Sequence, residues 1–347
     1  MVFLGVFLHA VGGLAAGSFY MAFKKVRNWS WESYWLVNSL FTSVLMPCLV
    51  ALCTVPQLRL ILQEAPRKNI LWTFFFGMCW GVGSLTFGLA LRYLGMSLGM
   101  AMVLGLTASF GTLIPPIFMG EFADLIVTTA GLATLGGIFV CLIGIAGCGW
   151  AGMSKEKELS PQEKVKYIKE FNFKKGLAVA FFSGVMSACF AFAVHAGKPI
   201  ADLAEHYNTP EVWGNSAVLL IIMGGGFITN AACCIVMNIR NRSAANYINS
   251  GNASLLINYL FCAIAGITGF LEFMFYGMGT TKMGKYHFAS FSIHLAFVII
   301  FSNMWGLLTH EWKGCSKRTL RLLFLGLFIL LLSTVVIGAG NYFAPSQ

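Results

Sequence analysis

Glu272 stands apart from the other acidic residues of the sequence. Twelve of the thirteen Asp and Glu residues lie between long apolar runs, whereas Glu272 lies deep within one, in the stretch FLEFMFYGMG. An ionised carboxylate at the centre of a membrane helix is unfavourable by roughly 2.5–3.5 kcal/mol. Such a group takes up a proton when it is sealed from water and ionises when it is hydrated, which is the behaviour that proton coupling requires. The alternative is a neutral acid that hydrogen-bonds across a helix bundle.

Two histidines, His9 and His294, also fall in the middle of apolar runs. At helical spacing His294 shares a face with Ser290, and His9 lies on the same side of its helix as Tyr20. Either histidine alone is compatible with an ordinary hydrogen-bonding role. Together the three groups favour a lined cavity, and we predict that proton coupling uses Glu272, His294 or His9.

Aromatic, hydroxyl and amide side chains at helical spacing suggest a sugar site. Thr268 and Tyr276 lie one turn before and after Glu272, and Trp80 lies one turn from Ser84. A ring can stack on the C–H face of a sugar while neighbouring groups bind its hydroxyls; ordinary packing is the alternative. The predicted substrate-binding residues are Tyr20, Phe19, Trp80, Ser84, Asn258, Thr268, Tyr276 and Ser290.

Motifs of hydrolases, metalloproteases and nucleotide-binding proteins are missing from the sequence. It contains no GxSxG, HExxH, P-loop or paired-carboxylate motif. Nine of the ten cysteines lie in or at the ends of apolar runs, where they are typical of small core residues rather than of a metal site. We therefore expect neither an enzyme nor an ATP-driven pump, and no cofactor other than a proton as the coupling ion.

The composition identifies the elements that must position these residues. Of the 347 residues, 58% are hydrophobic and 10% are charged, which is typical of an integral membrane protein in contact with lipid. A helix needs about 20 apolar residues to cross about 30 Å of hydrocarbon. The sequence predicts an all-α membrane protein with ten transmembrane helices, at 2–23, 34–54, 70–91, 96–119, 126–150, 176–197, 214–238, 253–279, 287–308 and 321–341.

The polar segment 154–175 divides the ten predicted helices into five and five. We predict a first repeat at 1–153, a cytoplasmic linker at 154–175 that carries a short amphipathic helix, and a second repeat at 176–347. Phe precedes Lys by six residues at the ends of the first and sixth helices, at 19 and 25 and at 192 and 198. An odd number of helices per half inverts the second copy, and such inverted repeats are typical of transporters.

Glycine spacing predicts close helix contacts. Two glycines four residues apart let helix backbones approach each other. The pairs with this spacing are Gly13 with Gly17, Gly77 with Gly81, and Gly95 with Gly99.

The net charge of +10 is explained by the short joints between helices, so it does not indicate nucleic-acid binding. With both termini periplasmic, 17 of the 23 basic residues lie in cytoplasmic joints, as the positive-inside rule requires. Near the first of these joints the aromatic residues Trp29, Trp31, Tyr34 and Trp35 predict a belt at the membrane interface.

Six stretches, in order and spacing, resemble the L-rhamnose–proton symporter family, a branch of the drug/metabolite transporter superfamily. They are FYMAFKKVRNWSWESYW, LRYLGMSLGMAMVLGLTASFGTLIPPI, FNFKKGLAVA, HAGKPI, IIMGGGFITN and LEFMFYGMG. The resemblance runs from about Leu8 to about Gly340. It implies a ten-helix inverted-repeat carrier of the bacterial inner membrane, with lipid around it, that imports L-rhamnose or a related 6-deoxyhexose or pentose with a proton. The alternative is an exporter of another small molecule, as elsewhere in the superfamily.

The resemblance has two departures. In enterobacterial members Gln matches Glu272, whereas His9 and His294 match histidines of those members, so the histidines compete as proton carriers. Members of the wider superfamily are usually drawn with cytoplasmic termini. The charge distribution favours the opposite orientation, because reversing the chain would place the lysine-rich segment 154–175 outside.

Overall fold

The chain folds into a bundle of helices. The computed structural model describes residues 2–23, 25–94, 96–118, 120, 122–158, 172–284, 289–310 and 312–343, and these ranges contain no β-strand. In chain order the described α-helices are α1 (Val2–Phe23), α2 (Trp31–Leu40), α3 (Met46–Thr54), α4 (Leu58–Glu64), α5 (Arg67–Leu94), α6 (Met96–Phe118), α7 (Phe122–Val127), α8 (Thr129–Glu158), α9 (Phe173–Ala196), α10 (Lys198–His206), α11 (Ser216–Asn241), α12 (Leu255–Thr280), α13 (Ser290–Leu308) and α14 (Lys317–Tyr342).

Nine segments of the described residues are long and apolar enough to cross a membrane. They are formed by α1, α2 with α3, α5, α8, α9 with α10, α11, α12, α13 and α14. The apolar part of α6, Met102–Ile117, is shorter than these nine. The prediction of an all-helical, multi-pass membrane protein is confirmed, and the number of ten crossing helices stays a prediction.

Helices of the two predicted repeats pack against each other throughout the bundle. Helix α1 lies against α12 and α13, α5 lies against α9 and α11, and α8 lies against α14. The division at 154–175 stays a prediction, and most of that segment, with its expected amphipathic helix, lies outside the described residues. The cross-packing means that elements from both ends of the chain meet in the middle of the bundle, where the mid-run polar residues lie.

Two of the three predicted glycine pairs lie at helix crossings. A Cβ atom on Gly13 would lie 2.5 Å from Phe297 Cβ in α13. A Cβ atom on Gly81 would lie 2.8 Å from the carbonyl oxygen of Gly226 in α11. Gly17 and Gly77 face the same two partner helices at similarly short distances. The predicted packing role is confirmed for these four glycines, whereas Gly95 lies outside the described residues.

The joint between α1 and α2 is held to the second half of the chain by side-chain hydrogen bonds. Trp29 Nε1 donates to Ser250 Oγ at 2.9 Å, and Trp35 Nε1 donates to Asn230 Oδ1 at 2.8 Å. Both rings are buried, with 9% and 7% of their surfaces exposed. These two rings pack inside the bundle and their indole N–H groups bind partners there, whereas a belt at the membrane interface stays a prediction.

Asn258 completes the same joint. Its Oδ1 accepts from the backbone N–H of Arg27 at 3.1 Å, and its Nδ2 donates to the carbonyl oxygen of Arg27 at 2.8 Å. Only 1% of the side chain is exposed. The first turn of α12 is thereby fixed to the chain that leaves α1.

We expect Asn258→Ala to lower the melting temperature of the purified protein in detergent. The substitution removes both hydrogen bonds of the Asn258 amide to the part-buried backbone of Arg27, and each such bond contributes about 0.5–1.5 kcal/mol. Asn303→Ala is the matched control, because the amide of Asn303 donates to the carbonyl oxygen of Ile299 in its own helix. Equal shifts for the two variants would show that Asn258 does not fix the joint.

Candidate functional site

A cavity of about 450 Å³ lies between helices of both halves. Its walls include the C-terminal halves of α1 and α12, the middle of α5 and α9, the first half of α6, and much of α13. It extends from the middle of the bundle toward the end at which α1, α5 and α13 terminate. Its volume falls within the range of about 300–1,000 Å³ that is usual for small-molecule sites.

Of the predicted site residues whose side chains the structure describes, six line this cavity and four do not. The lining residues among them are Phe19, Trp80, Ser84, Glu272, Tyr276 and His294. Of the others, His9, Asn258, Thr268 and Ser290 are not among the lining residues. Asn258 lies in the α1–α2 joint, and Ser290 is fully buried at the start of α13. Tyr20 lies in α1, and its side chain is outside the described part of the structure.

Glu272 and His294 form the charged centre of the cavity wall. Glu272 Oε1 lies 3.7 Å from His294 Nε2, and the two side chains have 18% and 4% of their surfaces exposed. The carboxyl group thus faces the cavity, whereas the imidazole is nearly covered. A proton on either group leaves the pair electrically neutral, because an imidazolium next to a carboxylate balances its charge.

His9 lies directly behind this pair. Its ring centre is 5.8 Å from that of His294 and 5.6 Å from that of Tyr276. The side chain is fully buried, and neither ring nitrogen has a hydrogen-bond partner among the described residues. Two imidazolium groups at this separation would repel each other in a medium of low dielectric constant. Only one of the two histidines is therefore expected to carry a charge at a time.

Glycines on two helices make room for the three titratable groups. A Cβ atom on Gly279 would lie 2.8 Å from His9 Cε1. A Cβ atom on Gly12 would lie 2.9 Å from His294 Cε1 and 3.0 Å from the carbonyl oxygen of Glu272. Any side chain at these positions would separate α1 from α12 and α13, and with them the histidines from the acid.

Aromatic rings form much of the cavity wall. Trp80 lies edge-on to Phe190 at 5.5 Å and to Phe273 at 5.0 Å between ring centres. Four hydroxyl groups, those of Ser84, Thr107, Ser187 and Ser302, also belong to lining residues. Flat apolar faces, hydroxyl groups and one acid together suit a neutral, hydroxylated solute that contains one or a few rings.

Several lining residues escaped the sequence reasoning. They include Phe190, Phe273, Phe291, Trp305 and Thr107. The chain has 31 Phe residues, and most helices carry several of them, so nothing in the spacing separates a cavity wall from lipid-facing or core positions. The sequence offered one indication that Phe273 lines the cavity, because this residue directly follows Glu272.

Comparison with known proteins identifies relatives over nearly the whole chain. The profile of the family described as L-rhamnose-proton symport protein (RhaT) matches residues 1–342. The L-rhamnose-proton symporter of Yersinia pestis (strain Pestoides F) is 35% identical over 342 residues, which are 98% of each chain. The L-rhamnose-proton symporter of Mannheimia succiniciproducens is 34% identical over 342 residues, again 98% of each chain. The matched range includes every helix that lines the cavity.

We expect Gly12→Ala to destabilise the protein by about 1–3 kcal/mol, because the added methyl group overpacks a backbone contact. Thermal unfolding of the purified protein in detergent measures this loss. Gly136→Ala is the control, because a Cβ atom at Gly136 in α8 would have no atom within 4 Å. That variant should change stability by less than about 1 kcal/mol or raise it. Unfolding of Gly12→Ala at the temperature of Gly136→Ala would contradict the tight crossing.

Proposed function

Since this chain belongs to the L-rhamnose-proton symport protein family, we propose that it imports L-rhamnose, or a closely related 6-deoxyhexose or pentose, together with a proton. It is a transporter and not an enzyme. The observation that carries the proposal is the position of Glu272, which faces a cavity of suitable size and lies 3.7 Å from His294.

The coupling proton is shared by Glu272 and His294. Without it the pair carries one negative charge, which is stable only while water reaches the cavity. With it the pair is neutral, whichever group holds the proton, and the cavity can close at a much lower cost. His9 adds a third, buried imidazole against His294, and its role is to remain neutral and limit the pair to one proton.

The sugar is held by side chains from both halves. In this proposal Trp80 and Phe19 stack on its apolar face, and Ser84, Tyr276 and the Glu272 carboxyl group bind hydroxyls. Tyr20, Thr268 and Ser290 stay predictions for substrate binding. The contacts of Asn258 with Arg27 favour a structural role for that side chain over sugar binding.

The transport cycle uses alternating access between two halves related as a 5+5 inverted repeat, as in the drug/metabolite transporter superfamily. With both termini periplasmic in a bacterial inner membrane, the large cavity opens to the cytoplasm, because it faces the end of the bundle that carries the basic joints. A neutral sugar with one proton moves one positive charge inward. A membrane potential of 100 mV then adds about 2.3 kcal/mol of driving force.

Addition of L-rhamnose to a lightly buffered suspension of cells or proteoliposomes should make the medium more alkaline. The effect follows from proton uptake with the sugar, and a pH electrode measures it. Vesicles without the protein, and L-rhamnose added after a protonophore, are the controls. Sugar uptake with no pH change would exclude proton coupling, and the absence of both would exclude the substrate class.

We expect Glu272→Gln to abolish accumulation of L-rhamnose against a gradient while exchange of labelled for unlabelled sugar continues. The amide keeps the cavity neutral without a proton, so the carrier can close and reopen uncoupled from the proton gradient. Accumulation and exchange in proteoliposomes measure the two properties separately.

Glu64→Gln is the matched control, because the Glu64 carboxylate accepts a hydrogen bond from the Tyr207 hydroxyl at an exposed position. It should accumulate the sugar as the wild-type protein does. Wild-type accumulation by Glu272→Gln would instead assign the proton to His294 or His9.

A further inference from the structure

A second cavity, of about 310 Å³, lies at the opposite end of the bundle from the first. Its walls come from the ends of α6, α9 and α12, from α10, and from the segment before α11. They include Pro115, Ala191, Val194, Glu205, Asn215 and Thr280. Tyr276 is the one predicted sugar contact among the described lining residues of this cavity, and the Glu272–His294 pair is not part of its lining.

The two cavities approach each other within a single helical turn on three helices. On α9, Ser187 lines the large cavity and Ala191 lines the small one. On α6 the change occurs between Thr107 and Gly111. On α12 Tyr276 itself lines both cavities. The barrier between them is therefore one layer of side chains.

This layer is formed by three aromatic rings, Phe190, Tyr276 and Phe291, which we name the aromatic partition. The ring centre of Tyr276 lies 5.6 Å from that of Phe190 and 5.9 Å from that of Phe291, with both contacts edge-on. The three side chains are buried, at 2%, 4% and 5% exposure. Edge-on rings form a closed but non-covalent layer, which a change of rotamer or a helix shift can open.

The far side of the small cavity has a polar closure. Lys282, which follows α12, forms an ion pair with Glu211, a lining residue of the small cavity. Asn215 Nδ2 donates to the carbonyl oxygen of Gly277 at 3.0 Å. Lys282 has 11% and Glu211 48% of its side chain exposed, so the Glu211 carboxylate stands at the solvent-accessible outer end of the small cavity.

We propose that the small cavity is the route of the sugar to the opposite face of the membrane, and that the aromatic partition is the barrier between the two routes. The inference rests on the proposed transport of a sugar by alternating access. It assigns to Tyr276 a second role besides sugar contact, because the sugar must displace its ring to pass. The Lys282–Glu211 ion pair closes the outer end of the same route.

Single cysteines on α9 test the partition directly. Ser187→Cys and Ala191→Cys place thiols one turn apart on opposite sides of it, and a membrane-impermeant maleimide is added to intact cells or to inside-out vesicles. None of the ten native cysteines, all of which are described, lines either cavity, and wild-type protein measures their background reaction.

Each introduced thiol should react faster from its own face. The less populated conformation of a two-state protein accounts for about 0.1–10% of molecules, so the two faces should differ by about tenfold or more in labelling rate. In the proposed orientation Ser187→Cys reacts from the cytoplasm and Ala191→Cys from the periplasm. Faster labelling of both from the same face would overturn the proposal.

Removal of the Tyr276 ring supplies the second measurement. Ala191→Cys combined with Tyr276→Ala should become reactive from the face of the large cavity, whereas Ala191→Cys with Tyr276→Phe should keep its preference, because phenylalanine retains the ring. If the ratio of the labelling rates of Ala191→Cys from the two faces is unchanged by Tyr276→Ala, Tyr276 is not the barrier. If Tyr276→Ala fails to fold, the comparison of Ser187→Cys with Ala191→Cys in the native background still decides whether a barrier lies between these two positions.

The labelling needs neither sugar nor proton gradient, so it separates this inference from the proposed function. If each thiol is labelled from its own face but L-rhamnose is not taken up, the partition is supported and the substrate is rejected. Proton-coupled L-rhamnose uptake with labelling of both thiols from one face would reject the partition and leave the transport function in place.

Discussion

A charge in the middle of a membrane protein must be hydrated or neutralised, and the arrangement of this bundle follows from that requirement. Glu272 faces the cavity on one side and His294 on the other, with 3.7 Å between carboxylate oxygen and imidazole nitrogen. To bring the two groups together, α12 and α13 must both lie against α1. Gly12 and Gly279 permit this approach, because a side chain at either position would fill the space that the imidazoles occupy.

The same helices link the two ends of the chain. Helix α1 belongs to the first predicted repeat, whereas α12 and α13 belong to the second, so the proposed proton site lies where the two predicted repeats are in contact. The joint after α1 is fixed to the start of α12 by Asn258, and Trp29 is fixed to Ser250. These hydrogen bonds keep the mouth of the large cavity and the charged pair in one unit. In the proposed cycle, rocking of the halves takes place at other contacts, which include those around the small cavity and its Lys282–Glu211 ion pair.

The sequence predicted which titratable side chains come together better than which polar and aromatic side chains line the cavity, for a physical reason. A titratable residue inside an apolar run is expensive, so Glu272, His9 and His294 were recognisable by position alone, and the structure brings their side chains together. An amide or aromatic residue carries no such penalty. Asn258 was expected to bind sugar, but its side chain hydrogen-bonds to the backbone of Arg27. A side-chain amide can form hydrogen bonds with a sugar hydroxyl or with a peptide group, so the residue type does not distinguish the two roles. The cavity residues Phe190 and Phe273 were missed because packing rings and binding rings have the same spacing.

The helical class and most crossing segments followed from hydrophobicity. Which helices contact each other depends instead on side-chain shape at crossings such as that of Gly13 with Phe297.

The aromatic partition lies next to the charged pair, so in the proposed cycle the sugar passes close to the groups that hold the proton. Tyr276 lies one turn after Glu272 on α12, and its ring is 5.3 Å from that of His294. In the proposed cycle the sugar passes Tyr276 only through a state in which neither cavity is open to water. In that state the pair has no hydration, so a net charge on it is strongly disfavoured. The neutral pair holds one proton, and a second would place an imidazolium next to His9 and a neutral acid. In the proposed cycle the sealed state therefore favours a pair that holds one proton over a pair that holds none or two, without any direct contact between proton and sugar.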